Sequence, residues 1–175
     1  ASGRPVLFVA TMEPGDDEMR ARIAAHRASR PPGWRTVEEP IALLDALAQS
    51  RPGDFIIIDC ITLWVSNLLL SGIGDADTAT ADEIHAAVAA TLPLAAQLAA
   101  WCAAFEGEVA VVSNEVGAGV VPAYPLGRVF RDAIGTANRA LAARADRVYY
   151  AIAGLALEIK SLGAVPIEPS GGADQ

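Results

Sequence analysis

Arg22, His26 and Arg30 stand four residues apart in turn within the segment DDEMRARIAAHRASRPPGWR, residues 16–35. On a helix that spacing puts all three on one stripe, with Arg27 beside them. A neutral imidazole is a competent nucleophile toward phosphorus. Guanidinium groups around it disfavour a second positive charge and pair with phosphate oxygens. The chemistry on offer is group transfer through a covalent histidine. A solvated basic helix face with an incidental histidine would show the same spacing, and on spacing alone it is the commoner case.

Phe55–Ile58 followed by Asp59 has the form of four apolar residues and an acid that closes a Walker B strand. An aspartate there can hold Mg2+ against nucleotide phosphates, although a plain strand end or helix cap has the same pattern. Ser113-Asn114-Glu115-Val116-Gly117 follows another apolar run. Asn114 and Glu115 could orient a substrate or a metal, or simply form a turn. Arg128 and Arg131, with Asp132, Gly135, Asn138 and Arg139, mark the polar side of a later helix. Glycine costs about 1 kcal/mol relative to alanine inside a helix, so Gly135 predicts close approach by a ligand or another subunit. His85 and Cys60 show no partner arrangement and read as structural.

The elements that must position these residues alternate. Pro5–Ala10, Phe55–Asp59, Glu108–Ser113 and Arg147–Ile152 are nearly continuous apolar or aromatic runs, as expected of strands buried on both faces of a parallel sheet. Helical periods lie between them: Asp16–Ser29 with acidic residues at its start, Ile41–Gln49 after Pro40, Thr62–Leu70, Ala81–Phe105 with a kink or break at Pro93, and Leu126–Ala143. This order predicts a three-layer α/β fold with a mostly parallel sheet, in one domain over residues 1–175. Residues 72–80 are expected to form a mobile loop and 169–175 a tail. Ligands of such sheets sit beyond the carboxyl ends of the strands. Those ends are Thr11–Met12, Asp59–Cys60, Ser113–Glu115 and Gly154–Leu155.

The bulk properties set limits. The 175 residues are 53% hydrophobic, which excludes a disordered chain. No uninterrupted apolar run approaches the roughly 18 residues of a membrane span, and the first residues lack a signal-peptide layout. Two cysteines, each in an apolar stretch, suggest free thiols in a cytoplasmic protein. A net charge of −8 argues against duplex nucleic acid or an anionic membrane as partner. A small phosphorylated ligand stays compatible with it, because Arg20, Arg22, Arg27, Arg30 and Arg35 cluster around His26.

Four stretches together resemble one family over almost the whole chain: VLFVATMEPGDDEMRARIAAHRASRPPGWRTVEEP, IIIDCITLWVSNLL, VSNEVGAGVVP and GRVFRDAIGTANRALAARADRVYYAIAGLALEIK. The family is the bifunctional adenosylcobinamide kinase/adenosylcobinamide-phosphate guanylyltransferases of cobalamin biosynthesis. The resemblance implies a P-loop NTPase fold of the RecA-like type. It further implies phosphorylation of adenosylcobinamide by a nucleoside triphosphate, then transfer of GMP from GTP through guanylylated His26. Ala10, Thr11, Met12, Arg27, Ala28, Ser29, Arg30, Glu38 and Asp59 match nucleotide contacts, with GTP and ATP as substrates and Mg2+ held at Asp59. A cytoplasmic homo-oligomer, a trimer, is implied as well. On this resemblance the covalent role of His26 displaces the solvated helix face.

One departure stands out. Relatives open with a strand, a phosphate loop of the form G-x-x-x-x-G-K-[ST] and a helix, and none of the 175 residues forms such a loop. The expectation is that a βα unit of roughly 30 residues has been cut away or lies outside this numbering. A non-catalytic relative or regulatory subunit is the alternative. A P-loop kinase of another small molecule is a third, opposed by the segment around His26.

Overall fold

A computed structural model describes residues 3–167, so the expected tail at 169–175 lies outside the described residues. Four strands pair in parallel in the order β2-β1-β3-β4: β1 (Val6–Ala10), β2 (Arg35–Glu38), β3 (Phe55–Asp59) and β4 (Glu108–Val112). β1 is buried along its whole length, as a central run of β-branched, aliphatic and aromatic residues should be. β2 was not expected from sequence. Its residues RTVE alternate in exposure along the sheet's edge, and only Val37 packs against the core.

Helices make the crossovers. α1 (Asp17–Ala28) starts where the Asp16 side chain accepts the Met19 N–H at 2.7 Å, with Asp17 and Glu18 in its first turn and His26 and Arg27 in its last. Both charge groups complement the helix dipole. α2 is shorter than expected, Leu43–Leu47. Pro40 precedes it by too much to be its first residue, and the Glu39 carboxylate instead accepts the N–H groups of Ile41 and Ala42. α3 (Ile61–Ser71) follows β3 directly, and α4 (Ala81–Ala104) opens with a Thr80/Glu83 capping box. α4 runs through Pro93 without a break. By length and composition it is apolar enough to cross a membrane, yet Ile84, Ala87, Ala95 and Leu98 join the core. α5 (Pro125–Arg144) begins on proline, its favoured first position.

One face of the sheet carries the core. Leu7, Val9, Ile56 and Ile58 meet Leu43 and Leu47 of α2, Trp64 and Leu69 of α3, Leu98 of α4 and Ile134 of α5. Each such side chain contributes about 1.5–3 kcal/mol on burial. Ile73 joins this core from within the 72–80 loop. The other face is covered unevenly: Phe8 is buried, whereas Ile57 and Ala110 are half-buried and Val112 is 43% exposed.

The last expected strand is a correction. β5 (Tyr149–Ile152) pairs antiparallel with β6 (Leu155–Glu158) in a separate two-stranded sheet, and Tyr149, Tyr150, Ile152, Leu155 and Leu157 are exposed. Ala153 and Gly154, both with positive φ, form its two-residue turn. Gly154 therefore belongs to a hairpin turn and Leu155 opens the returning strand, so neither marks the carboxyl end of a parallel strand. Gly135 meets nothing closer than Arg139 Nη1 at 3.8 Å from an added Cβ. Within α5 the close approach falls instead at Gly127, where a Cβ would lie 2.5 Å from Tyr124. Both cysteines are free, and burial pushes the Cys102 thiol up to about 11.

Candidate functional site

The carboxyl ends of β1 and β3 are tied by one buried residue. Thr11 is 0% exposed, and its hydroxyl accepts the Cys60 N–H at 2.8 Å while donating to the Cys60 carbonyl at 2.7 Å. Its N–H donates to the Asp59 carbonyl at 3.0 Å, and its carbonyl accepts from Asn67 Nδ2 at 2.8 Å. Asn67 also donates to the Pro40 carbonyl, and Trp64 Nε1 donates to that of Ile41. α3 thus anchors the segment after β2 as well. Every polar group of Thr11 is used internally, so its part in ligand binding is to hold the frame.

Over this frame lies a cavity of about 110 Å3 lined by Ala10, Met12, Ile23, His26, Arg30, Glu38, Asp59, Cys60 and Leu63. Six of the expected residues meet there, from β1, α1, β2 and β3 and the turn after α1. His26 projects from the last turn of α1, and its Nε2 stands 3.9 Å from Asp59 Oδ2. At that separation the carboxylate attracts a charged imidazole without hydrogen bonding to it. Among the described residues the Asp59 carboxylate accepts no hydrogen bond, which leaves it open to a ligand.

The predicted stripe is only partly realised. α1 ends at Ala28, so Arg30 lies beyond it and turns back over the sheet. Its guanidinium lies over the Phe8 ring, 3.9 Å from the centroid, and its Nη1 donates to Thr36 Oγ1 at 3.3 Å. Arg30 Nε is buried without a partner among the described residues, and burial is the main cause that lowers the guanidinium's proton affinity, with Glu38 and Asp59 opposing it. An incoming anion would answer that deficit. Arg27 stands aside in an ion pair with Glu38. Ser29 caps the helix, donating to the His26 carbonyl at 2.8 Å, and neither it nor Ala28 lines the cavity. Arg22 is exposed and outside the cavity as well.

The residues after β4 form a separate network. Asn114 donates through its backbone and side chain to Thr62 Oγ1, at 2.8 and 3.0 Å, and Asn138 Nδ2 donates to the Asn114 carbonyl at 3.1 Å. Glu115 accepts the Gly117 N–H at 2.6 Å. Arg131 donates to the Gly117 carbonyl, and Arg128 to those of Pro122 and Ala123. These four expected residues strap their own loop to α5 and α3 and do not line the cavity.

The residues missed from sequence are Phe8, Ile23, Cys60, Leu63 and Asn67. Cys60, read as structural although it stands at a strand's carboxyl end, lines the cavity. Asn67 carried a signal: it is the one amide in the apolar run TLWVSNLLL. As to metals, no group of three or more ligating side chains occurs among the described residues. One open carboxylate at Asp59 nonetheless suits Mg2+ carried in on nucleotide phosphates, which needs only one or two protein carboxylates. A larger hollow of about 330 Å3 lies at the opposite strand ends, between Ser50–Pro52 and Ala104–Glu106. It is wide open and gathers no comparable chemistry.

A parallel α/β sheet with a histidine, an arginine and carboxylates at its strands' carboxyl ends defines a ligand-handling protein of the open-sheet class. Residues 1–159 match the family model described as cobinamide kinase / cobinamide phosphate guanyltransferase (CobU). The chain belongs to that family. It is 39% identical over 160 residues to the bifunctional adenosylcobalamin biosynthesis protein CobP of Pseudomonas aeruginosa, covering 91% of this chain and 84% of that one. Similar matches are the bifunctional CobU proteins of Escherichia coli, at 39% over 156 residues, and Salmonella typhimurium, at 42% over 158. Each of these two covers 89% of this chain and 86% of the relative.

Proposed function

We infer that this chain phosphorylates adenosylcobinamide and then transfers GMP from GTP to adenosylcobinamide phosphate, with His26 as the covalent carrier. The observation that carries this reading is the meeting of His26, Arg30 and Asp59 around one cavity. At about 110 Å3 the cavity suits a phosphoryl group. A nucleotide's base and sugar need several times that volume, so they would lie outside it. An imidazole nitrogen attacks the α-phosphorus of GTP, the P–N bond forms, and the bond to the pyrophosphate oxygen breaks. The phosphate oxygen of the corrinoid substrate then attacks the same phosphorus, and the P–N electrons return to the imidazole. Arg30, with an unpaired N–H, takes charge developing on the phosphoryl oxygens. Arg27 becomes available when phosphate displaces Glu38. Mg2+, held by Asp59, would neutralise charge on the triphosphate.

The same reading assigns the fold to the P-loop NTPase type, with a phosphate-loop strand along the free edge of β4 and its helix over the adjoining face. Support comes from the uncovered side of that face at Ile57, Ala110 and Val112, and from the exposed apolar hairpin β5–β6. The working protein would be a cytoplasmic homo-oligomer, a trimer by family resemblance. Exposed Val120, Val121 and Tyr124 are consistent with association.

The test is to supply the complete protein with adenosylcobinamide, ATP, GTP and Mg2+ and follow both products. His26→Asn is expected to accumulate the phosphorylated intermediate and form no GDP-linked product. GMP transfer that persists in this variant would contradict the assignment.

A further inference from the structure

Three side chains converge on one ring. Phe8, at the middle of β1, is 5% exposed and lies on the face opposite Leu7 and Val9 of the main core. The Arg30 guanidinium carbon is 3.9 Å from its centroid. Trp34 stacks on it at 6.0 Å with 22° between the planes, and His26 meets it edge-to-face at 5.8 Å and 79°. Among the described residues no ion pair within 4 Å holds Arg30, and Glu38 is paired with Arg27. Its one side-chain hydrogen bond, to Thr36, is long at 3.3 Å. The chain around Arg30 has already left α1, so helix geometry does not set its direction either. The close contact left to hold the guanidinium over the sheet is the ring beneath it.

We propose that Phe8 is a positioning residue for guanylyl transfer, a shared aromatic platform that orients the His26 imidazole and the Arg30 guanidinium relative to one another before nucleotide arrives. This rests on the guanylyl-histidine reading above. A guanidinium whose carbon is held over a ring face keeps N–H groups free at its rim, where they can fork onto phosphate oxygens. The edge-to-face contact limits rotation of the imidazole. Attack on phosphorus depends on both groups being aligned at once, so one side chain governs two alignments. Leucine would preserve most of the apolar volume and remove the ring.

The experiment is single-turnover labelling of the complete protein by GTP labelled at the α-phosphate, at saturating GTP and Mg2+. Phe8→Leu, with thermal stability measured in parallel, is expected to label about tenfold more slowly, the rate equivalent of a partly desolvated cation–π contact. Phe8→Tyr, which keeps the ring, should return to within about twofold of wild type. The His26 Hε1 resonance should move in Phe8→Leu and stay in Phe8→Tyr. Wild-type label with an equally fast Phe8→Leu would overturn the platform and leave the covalent chemistry standing, whereas an unlabelled wild type would overturn both. Should Phe8→Leu fail to fold, nuclear Overhauser contacts between the His26 and Phe8 rings in the wild-type protein decide the question. Their presence supports the platform and their absence overturns it.

Discussion

The ends of β1 and β3 and the hairpin β5–β6 are both built from apolar strands, yet one is knitted and the other bare. At the first, Thr11, Cys60, Asn67 and Trp64 are tied to the chain around them by buried and half-buried hydrogen bonds, and the cavity with His26 stands on that network. At the second, Tyr149, Tyr150, Ile152, Leu155 and Leu157 face solvent, and the hairpin forms a sheet of its own. Two-stranded hairpins are marginal alone. The contrast separates two uses of apolar sequence: one region holds chemical groups in place, while the other offers surface for something to cover.

Substitutions that break buried polar links of the main sheet, at either end of its strands, should cost far more than those in the hairpin. Asp54, 1% exposed, accepts from Arg35 and from the Arg51 N–H just ahead of β3. Asp54→Ala takes the acceptor from the half-buried Arg35 guanidinium and from the Arg51 N–H, and should lower the unfolding free energy by about 3 kcal/mol in urea melts. Thr11→Val keeps the side-chain shape but leaves the Cys60 N–H without an acceptor. A loss of roughly 2 kcal/mol is expected by the same measurement. At the other extreme, Leu155→Ser alters a residue that is 72% exposed. Its effect on those melts should stay within about 0.5 kcal/mol, and a loss as large as that of Thr11→Val would erase the contrast.

The smallest effect concerns pH. Hydrogen bonds from Ser161, Val148 and Lys160 hold the Glu158 carboxyl below the usual value of 4.5. A carboxylate with a lowered folded value stabilises its surroundings above the unfolded value and stops doing so as pH falls through the folded one. Amide exchange at Val148, Lys160 and Ser161 should therefore lose protection on acidification below 4.5, before β1 does.

Much of this layout was legible in the residues. The runs at β1, β3 and β4 announced themselves because each is nearly continuous in apolar residues, and Asp16 marked the start of α1. β2 did not, since RTVE alternates on an edge and is too short to show a pattern. The hairpin misled for the opposite reason. RVYYAI has the composition of a buried strand, but burial depends on a neighbour that its own sequence does not encode. His26, Glu38 and Asp59 were accessible through the family-like segments. Phe8 was not, because a phenylalanine within a strand reads as core until Arg30 and His26 are seen against it.

The central claim is that His26 carries the nucleotide. Its most direct test is to incubate the complete protein with GTP labelled at the α-phosphate and Mg2+, then map the covalent label by peptide mass spectrometry. An acid-labile, alkali-stable label on His26 that is absent from His26→Asn is the expected result. A label on another residue, or one that survives the substitution, would contradict the account.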